Sequence, residues 1–404
     1  MSQHSIISRR PVVNAKQQIV GYEFFFSSQT DDSRNLSEED VESCAKILSA
    51  TLDGIQEQWV LGQQIAFIHV DHVMLNMAFI ELMPADKTVL QIMRQTKVTP
   101  DIIARCEMLK AAKFKIALDN PQQYEHLAPL IAVADFIKID MRDVNNAQAS
   151  AWLKKYQAIQ RPLIAEGIES RNQFAELQEA GYRYFQGNFY AKPENISVKV
   201  INPSFEGVLS LLNLVSQDAE NRVIENGFKR DTTLSYKLLR YINSVGFGLS
   251  CEVQSIGHAL TILGRNQLYR WLTLLMVTAG DNSTSSALMK TSIIRGRLTE
   301  LLGEALFEKK DKDNLFVVGV FSLLDVILKM PMEQALEKLQ LPEPIADALL
   351  YRTGVFGPFL QLTEACEDNN SVEIVKLAEL LQLNPNQINQ CHIDALAWTE
   401  TLGL

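Results

Sequence analysis

Hydrophobic and polar positions in the first half of the chain alternate between two periods. Short apolar runs rich in β-branched and aromatic residues read as strands: Ile19–Phe26 (IVGYEFFF), Ile65–Val70, Thr88–Ile92, Phe114–Leu118, Phe136–Ile139, Leu163–Ala165 and Tyr184–Phe185. Helical patterns lie between them. Glu38–Leu52 follows Ser37, a candidate N-cap. Asp101–Ala112 carries Ile102, Ile103, Cys106 and Leu109 near helical spacing and is opened by Thr99-Pro100. Ala149–Ile159 and Ser170–Ala180 complete the set. This alternation predicts an α/β fold with parallel crossovers, and the number of units in about two hundred residues favours a closed (β/α) barrel over an open sheet.

The period changes near Pro193–Pro203. From Ser204 the pattern is helical almost throughout, in segments such as Phe205–Ser216, Asp231–Asn243, Ser255–Leu263, Arg265–Ala279, Ser286–Leu302, Asp313–Lys329, Phe356–Asp368 and Pro385–Leu396. Each has an apolar face, and the loops are short, the clearest being Gly280–Ser286. The expected organisation is a (β/α) barrel over residues 1–198 and an all-α domain over residues 199–404.

Composition narrows the class. Among 404 residues, 47% are hydrophobic and 21% charged, which fits ordinary globular cores. A net charge of −10 disfavours nucleic acid and anionic membrane as partners. No apolar run is long enough to span a bilayer, and no apolar signal region precedes the first strand. Cys44, Cys106, Cys251, Cys366 and Cys391 form no CxxC pair and read as reduced structural thiols. A cytoplasmic protein is expected.

Candidate chemistry sits at the strand tips. Glu23, His69, Gln91, Asp119 with Asn120, Lys138 with Asp140, Glu166 with Glu169, and Gln186 each end or follow a strand. In a barrel these ends share one rim, where active sites are built. Clustered carboxylates and carboxamides suit Mg²⁺ or Mn²⁺.

PVVNAKQQIVGYEFFF, KIALDN, FIKID, AEGIES and YFQGNFYAKP occur in this order. Together they resemble the EAL family, which hydrolyses cyclic di-GMP using two divalent metals. The segment Asp231–Gly264 (DTTLSYKLLRYINSVGFGLSCEVQSIGHALTILG) resembles the HDOD domain, a helical relative of HD-domain hydrolases without their His-Asp dyad. EAL followed by HDOD is similar to a known bacterial signalling architecture.

The resemblance implies a role for each position. Glu23 matches the glutamate of the family name, and Asp119 a bridging metal ligand. Lys138 matches a pocket lysine and Asp140 a further acid. Glu166 matches the general-base or metal-organising glutamate, Glu169 its companion, and Gln186 a pocket glutamine. Phe24-Phe25 replace Ala-Leu, Pro121-Gln122-Gln123 stands where a Gly-rich loop is expected, and four pocket positions depart from the pattern: His69 stands for a metal-binding Asn, Gln91 for a metal-binding Glu, Asn120 for a second Asp, and Ser27 for a nucleotide-contacting Arg. A carboxamide neither neutralises a metal's charge nor acts as a base. Serine cannot reproduce a bidentate arginine contact.

The expectation is therefore a degenerate phosphodiesterase fold: a vestigial pocket, no catalytic residues, no cofactor, and Mg²⁺ or Mn²⁺ only if residual activity persists. An adaptor that binds protein partners of a signalling pathway follows by analogy, and a homodimer is compatible. Cyclic di-GMP binding without turnover is the alternative, followed by residual metal-dependent hydrolysis. The surviving acids could equally form a buried ion-pair network. His69 could hold a transition metal only with a second nitrogen or sulfur ligand. Neither His258 nor His392 belongs to a His-Asp dyad.

Overall fold

A computed structural model describes residues 6–27, 61–72, 74–77, 80, 83–192, 203–243, 253–278 and 285–402. The expected helix Glu38–Leu52 with its Ser37 cap, Cys44, Cys251 and most of the loop Gly280–Ser286 lie outside these residues.

Eight strands close a barrel in sequence order: β1 (Ile6–Asn14), β2 (Ile19–Ser27), β3 (Ile65–Val70), β4 (Thr88–Ile92), β5 (Lys115–Asp119), β6 (Phe136–Asp140), β7 (Leu163–Glu166) and β8 (Tyr184–Gln186). The barrel expectation holds, with one more strand than the sequence pattern revealed. β1 runs antiparallel to both β2 and β8, while every other neighbouring pair is parallel. Arg9-Arg10-Pro11 hid this strand, because its polar residues Ser8 and Arg9 are buried rather than solvated.

Among the described residues, the helices associated with the strands are α1 (Pro100–Ala111), α2 (Asn146–Gln157) and α3 (Arg171–Ala180). Thr99 caps α1 by accepting from the Ile102 N–H at 3.3 Å. α2 begins three residues before the expected Ala149, because Asn145 and Gln148 form a capping box. α3 ends at Gly181, whose φ of 108° completes a left-handed C-cap. A 3-10 helix, Glu125–Ala132, fills a stretch where the pattern predicts no element.

The remaining helices are α4 (Pro203–Ser216), α5 (Asn221–Lys229), α6 (Thr232–Ile242), α7 (Ile256–Thr278), α8 (Ser286–Leu302), α9 (Lys309–Phe321), α10 (Leu324–Leu328), α11 (Met332–Leu339), α12 (Glu343–Tyr351), α13 (Gly357–Asp368), α14 (Ser371–Leu380) and α15 (Pro385–Thr401). α7 breaks at Gly264 (φ 71°, ψ 170°), where the sequence pattern separates two helices. The single helix expected over Asp313–Lys329 is instead α9 and α10, which ends on a left-handed Lys329. α8 and α9 approach closely through Gly296 and Gly319.

The chain divides into two compact units. One comprises Met1–Lys192, Ser285–Ala287 and Leu362–Leu404; the other comprises Pro193–Thr284 and Leu288–Gln361. Residues 362–404, which the sequence reading assigned to the helical domain, group with the barrel.

The barrel core explains the placement of the site. Val12, Phe67, Val89, Ala117 and Ile164 form one buried apolar cluster, with Phe136 and Tyr184 packed against it. Strand side chains repeat every two residues. His69, Gln91, Asp119, Glu166, Lys138 and Gln186 each lie two residues beyond a member of that layer. Polar residues therefore form the next inward layer.

Candidate functional site

Glu23 is the centre of this layer and is fully buried. Its Oε1 accepts from Lys138 Nζ and from His69 Nε2, the latter at 2.8 Å. Its Oε2 accepts from Gln186 Nε2 at 2.6 Å. A carboxylate only accepts, so His69 bears its proton on Nε2. Lys138 also reaches Glu166 Oε2 at 3.3 Å, and Arg10 lies 4.0 Å from Glu166 Oε1. Arg10 stacks on Phe25 at 5.0 Å, and Phe25 in turn packs against His69.

Electrostatics follow from this geometry. Burial opposes the ionisation of Glu23, but the Lys138 charge and the His69 and Lys138 hydrogen bonds outweigh it, holding the carboxyl well below the usual carboxylate range. Burial likewise opposes the charged form of Lys138, yet the carboxylates of Glu166, Glu23 and Asp119 raise its pKa and keep it an ammonium. Glu166 moves upward: burial leads, Lys138 opposes, and the charges of Glu23 and Asp119 add to the rise. Lys138 thus bridges Glu23 and Glu166, with Glu23 the more firmly ionised.

β5 ends differently from the expected acid pair. Asn120 Nδ2 donates to Asp119 Oδ1 at 2.9 Å, and Asn120 Oδ1 accepts from the Asp140 N–H at 2.8 Å. Asn120 also adopts φ 47°, a conformation asparagine tolerates better than most residues. An aspartate here would lose the donor and place a second charge beside Asp119. Asn120 therefore ties the end of β5 to β6.

The other predicted residues divide by position. Gln91 is buried, and its Oε1 has no hydrogen-bond partner; Gln186 Oε1 is likewise unpartnered. Asp140 feels the Lys138 charge, but its carboxylate is bonded to Arg142 rather than to Glu23 or its partners. Arg142 holds it through Nε at 2.9 and 3.0 Å and through Nη2, and keeps its carboxyl low against the opposing effect of burial. Glu169 is exposed and pairs with Lys192 at 3.1 Å. Ser27 ends β2 opposite Ile6, and its side chain lies outside the described residues. A cleft beside the network is lined by Arg10, Arg142, Lys192, Glu166, Glu169 and Asn188, among others. Arg10 escaped the sequence reading because β1 did; the signal was an arginine two residues before the apolar Val12, on the same face.

The donor set fits a pair of divalent ions poorly. Both oxygens of Glu23 are engaged by protein donors. The buried orphan acceptors, Gln91 Oε1 and Gln186 Oε1, carry no charge. Among the described residues, no group of three or more His, Cys, Asp or Glu side chains is placed to hold a metal ion.

The EAL domain family matches residues 71–193, and the HDOD domain family matches residues 203–342. The chain is an EAL–HDOD two-domain protein. The EAL match includes Gln91, Asp119, Asn120, Lys138, Asp140, Glu166, Glu169 and Gln186, whereas Glu23, Ser27 and His69 precede it. The chain is similar over most of its length to two bacterial proteins. The uncharacterized protein YuxH of Bacillus subtilis is 27% identical over 406 residues, covering 98% of each chain. The cyclic di-GMP phosphodiesterase CdgJ of Vibrio cholerae is 26% identical over 410 residues, covering 98% of this chain and 93% of CdgJ. Among solved structures, an EAL domain protein from Listeria monocytogenes is 18% identical with a TM-score of 0.40, covering 46% of this chain and 87% of that one. No helix among the described residues is long and apolar enough to cross a membrane.

Proposed function

We propose that this EAL–HDOD protein is a signalling adaptor whose barrel does not hydrolyse cyclic di-GMP and whose output is protein–protein contact. The engagement of Glu23 by Lys138, His69 and Gln186 carries this reading. Two-metal hydrolysis needs anionic ligands free to bind the ions that activate water and clamp the phosphate. Here the central carboxylate is already neutralised by an ammonium, and two neighbouring positions are uncharged glutamines. Replacing the hydrogen bonds of a buried carboxylate by a metal would require Lys138 to withdraw from a site where it is itself buried. The pocket residues accordingly act as an ion-pair network that holds the barrel mouth in one shape. Incubation of the purified protein with cyclic di-GMP and Mg²⁺ or Mn²⁺ is expected to leave the nucleotide intact. Linear product that disappears in Glu23→Ala would overturn the reading.

A second reading, residual phosphodiesterase activity, is favoured by the full-length similarity to CdgJ, a protein named for that activity. The same incubation separates the two. A receptor that binds the nucleotide without turnover is supported by the basic side chains Arg10, Arg142 and Lys192 along the cleft. Calorimetry with cyclic di-GMP tests it, and absence of heat at saturating nucleotide removes it.

A further inference from the structure

We propose that α15 is a strap that completes the barrel by occupying the open edge of β1, so that chain lying beyond the helical unit is a structural part of the barrel. β8 pairs with only Val12–Asn14 of β1. The preceding residues of β1 pair with β2, and among the described residues no strand pairs with their other edge. An open edge presents backbone N–H and C=O groups that must find partners when buried. α15 supplies them. The Ile7 N–H donates to Asn389 Oδ1 at 2.7 Å, and the Ile7 carbonyl accepts from His392 Nδ1 at 3.2 Å. Asn389 and His392 are three apart on one helix face, spaced to meet both groups of a single strand residue. Ile7, Asn389 and His392 are all buried, as are Ile388, Ile393, Leu396 and Thr399 on the same helix.

The end of α13 extends the closure. The Asp368 carbonyl accepts from Arg10 Nη2 at 2.9 Å, and Asp368 Oδ1 accepts from Asn188 Nδ2 at 2.9 Å. Arg10 is the residue that stands over Glu166 at the barrel mouth. The C-terminal segment thus both closes the edge of β1 and seats a cation of the rim.

Hydrogen exchange of the full-length protein tests the strap. In Asn389→Ala the Ile7 amide is expected to exchange at least tenfold faster, while the amides of β5, across the barrel, keep their protection. Unchanged exchange at Ile7, or an equal rise throughout β5, would overturn the proposal. If Asn389→Ala does not fold, the wild-type chain in low urea gives the second measurement. Peptides 6–14 and 385–401 are then expected to open together with one denaturant dependence; independent opening would overturn it.

Discussion

Lys138→Met isolates the interaction on which the barrel mouth depends. Methionine preserves most of the side chain's length and removes its charge. Lys138 and Glu23 are both almost fully buried, with side-chain exposures of 3% and 1%. Breaking a buried pair while leaving one charge in place costs about 3–5 kcal/mol. For a unit of this size each kcal/mol corresponds to about 2–4 °C, so the barrel transition should fall by roughly 6–20 °C. The double variant Glu23→Gln/Lys138→Met removes both charges and should recover most of the loss, to within about 2 kcal/mol of wild type, because a neutral replacement carries no stranded ion. The pH dependence has a defined sign. In the wild type Glu23 titrates below its unfolded value, so its stabilisation is present at neutral pH and is lost as pH falls below about 4.3. Without Lys138, burial dominates and raises the carboxyl, so the deficit of Lys138→Met should shrink on acidification. Differential scanning calorimetry of the wild type, Glu23→Gln, Lys138→Met and the double variant at pH 7 and pH 5 supplies the cycle. A loss under about 1 kcal/mol for Lys138→Met, or additive single effects, would refute the network.

Three further outcomes follow from particular residues. Buried His392 is held neutral by desolvation and by the charge of Arg9, its pKa well below the ordinary value. The unfolded chain therefore takes up the proton first, and stability should decline by about 1.4 kcal/mol per pH unit below about pH 6.5. Urea midpoints at pH 7.5 and 5.5 should differ less in His392→Asn. A Cβ at Gly187 would lie 2.0 Å from the Ile168 carbonyl oxygen, and its φ is 150°. Gly187→Ala should lower the barrel's melting temperature by several degrees, consistent with overpacking costs of about 1–3 kcal/mol. In the helical unit a Cβ at Gly319 would meet the Arg295 carbonyl at 2.5 Å. Gly319→Ala should destabilise that unit by a similar amount in a urea titration, about 1–3 kcal/mol.

The barrel was legible because its inner face follows a strict two-residue period. From β3 to β8 each apolar layer residue announces the polar one two positions later. The opening of α1 at Thr99-Pro100 and the break at Gly264 were also local and readable. β1 was not legible. Its Ser8 and Arg9 are buried against other parts of the fold, so burial and polarity no longer correspond along the strand. The partnership of Ile7 with Asn389 and His392 spans more than 380 residues of chain, beyond any local signal. At the site, sequence identified residues and charges but not their pairing. It grouped Asp140 and Glu169 with Glu23, whereas Arg142 and Lys192 hold them at the rim. Asn120 read as the loss of an acid; the structure adds that its amide donates to Asp119 and accepts from the backbone of β6, two roles that one aspartate could not fill together.

The proposed function requires that Lys138 neutralise Glu23 at a mouth that holds no divalent metal. Titration of Mn²⁺ into the chelator-treated full-length protein, followed by calorimetry, tests it directly. No saturable heat is expected for the wild type at millimolar metal. Stoichiometric binding that is lost in Glu23→Gln would contradict the claim and return the barrel mouth to metal chemistry.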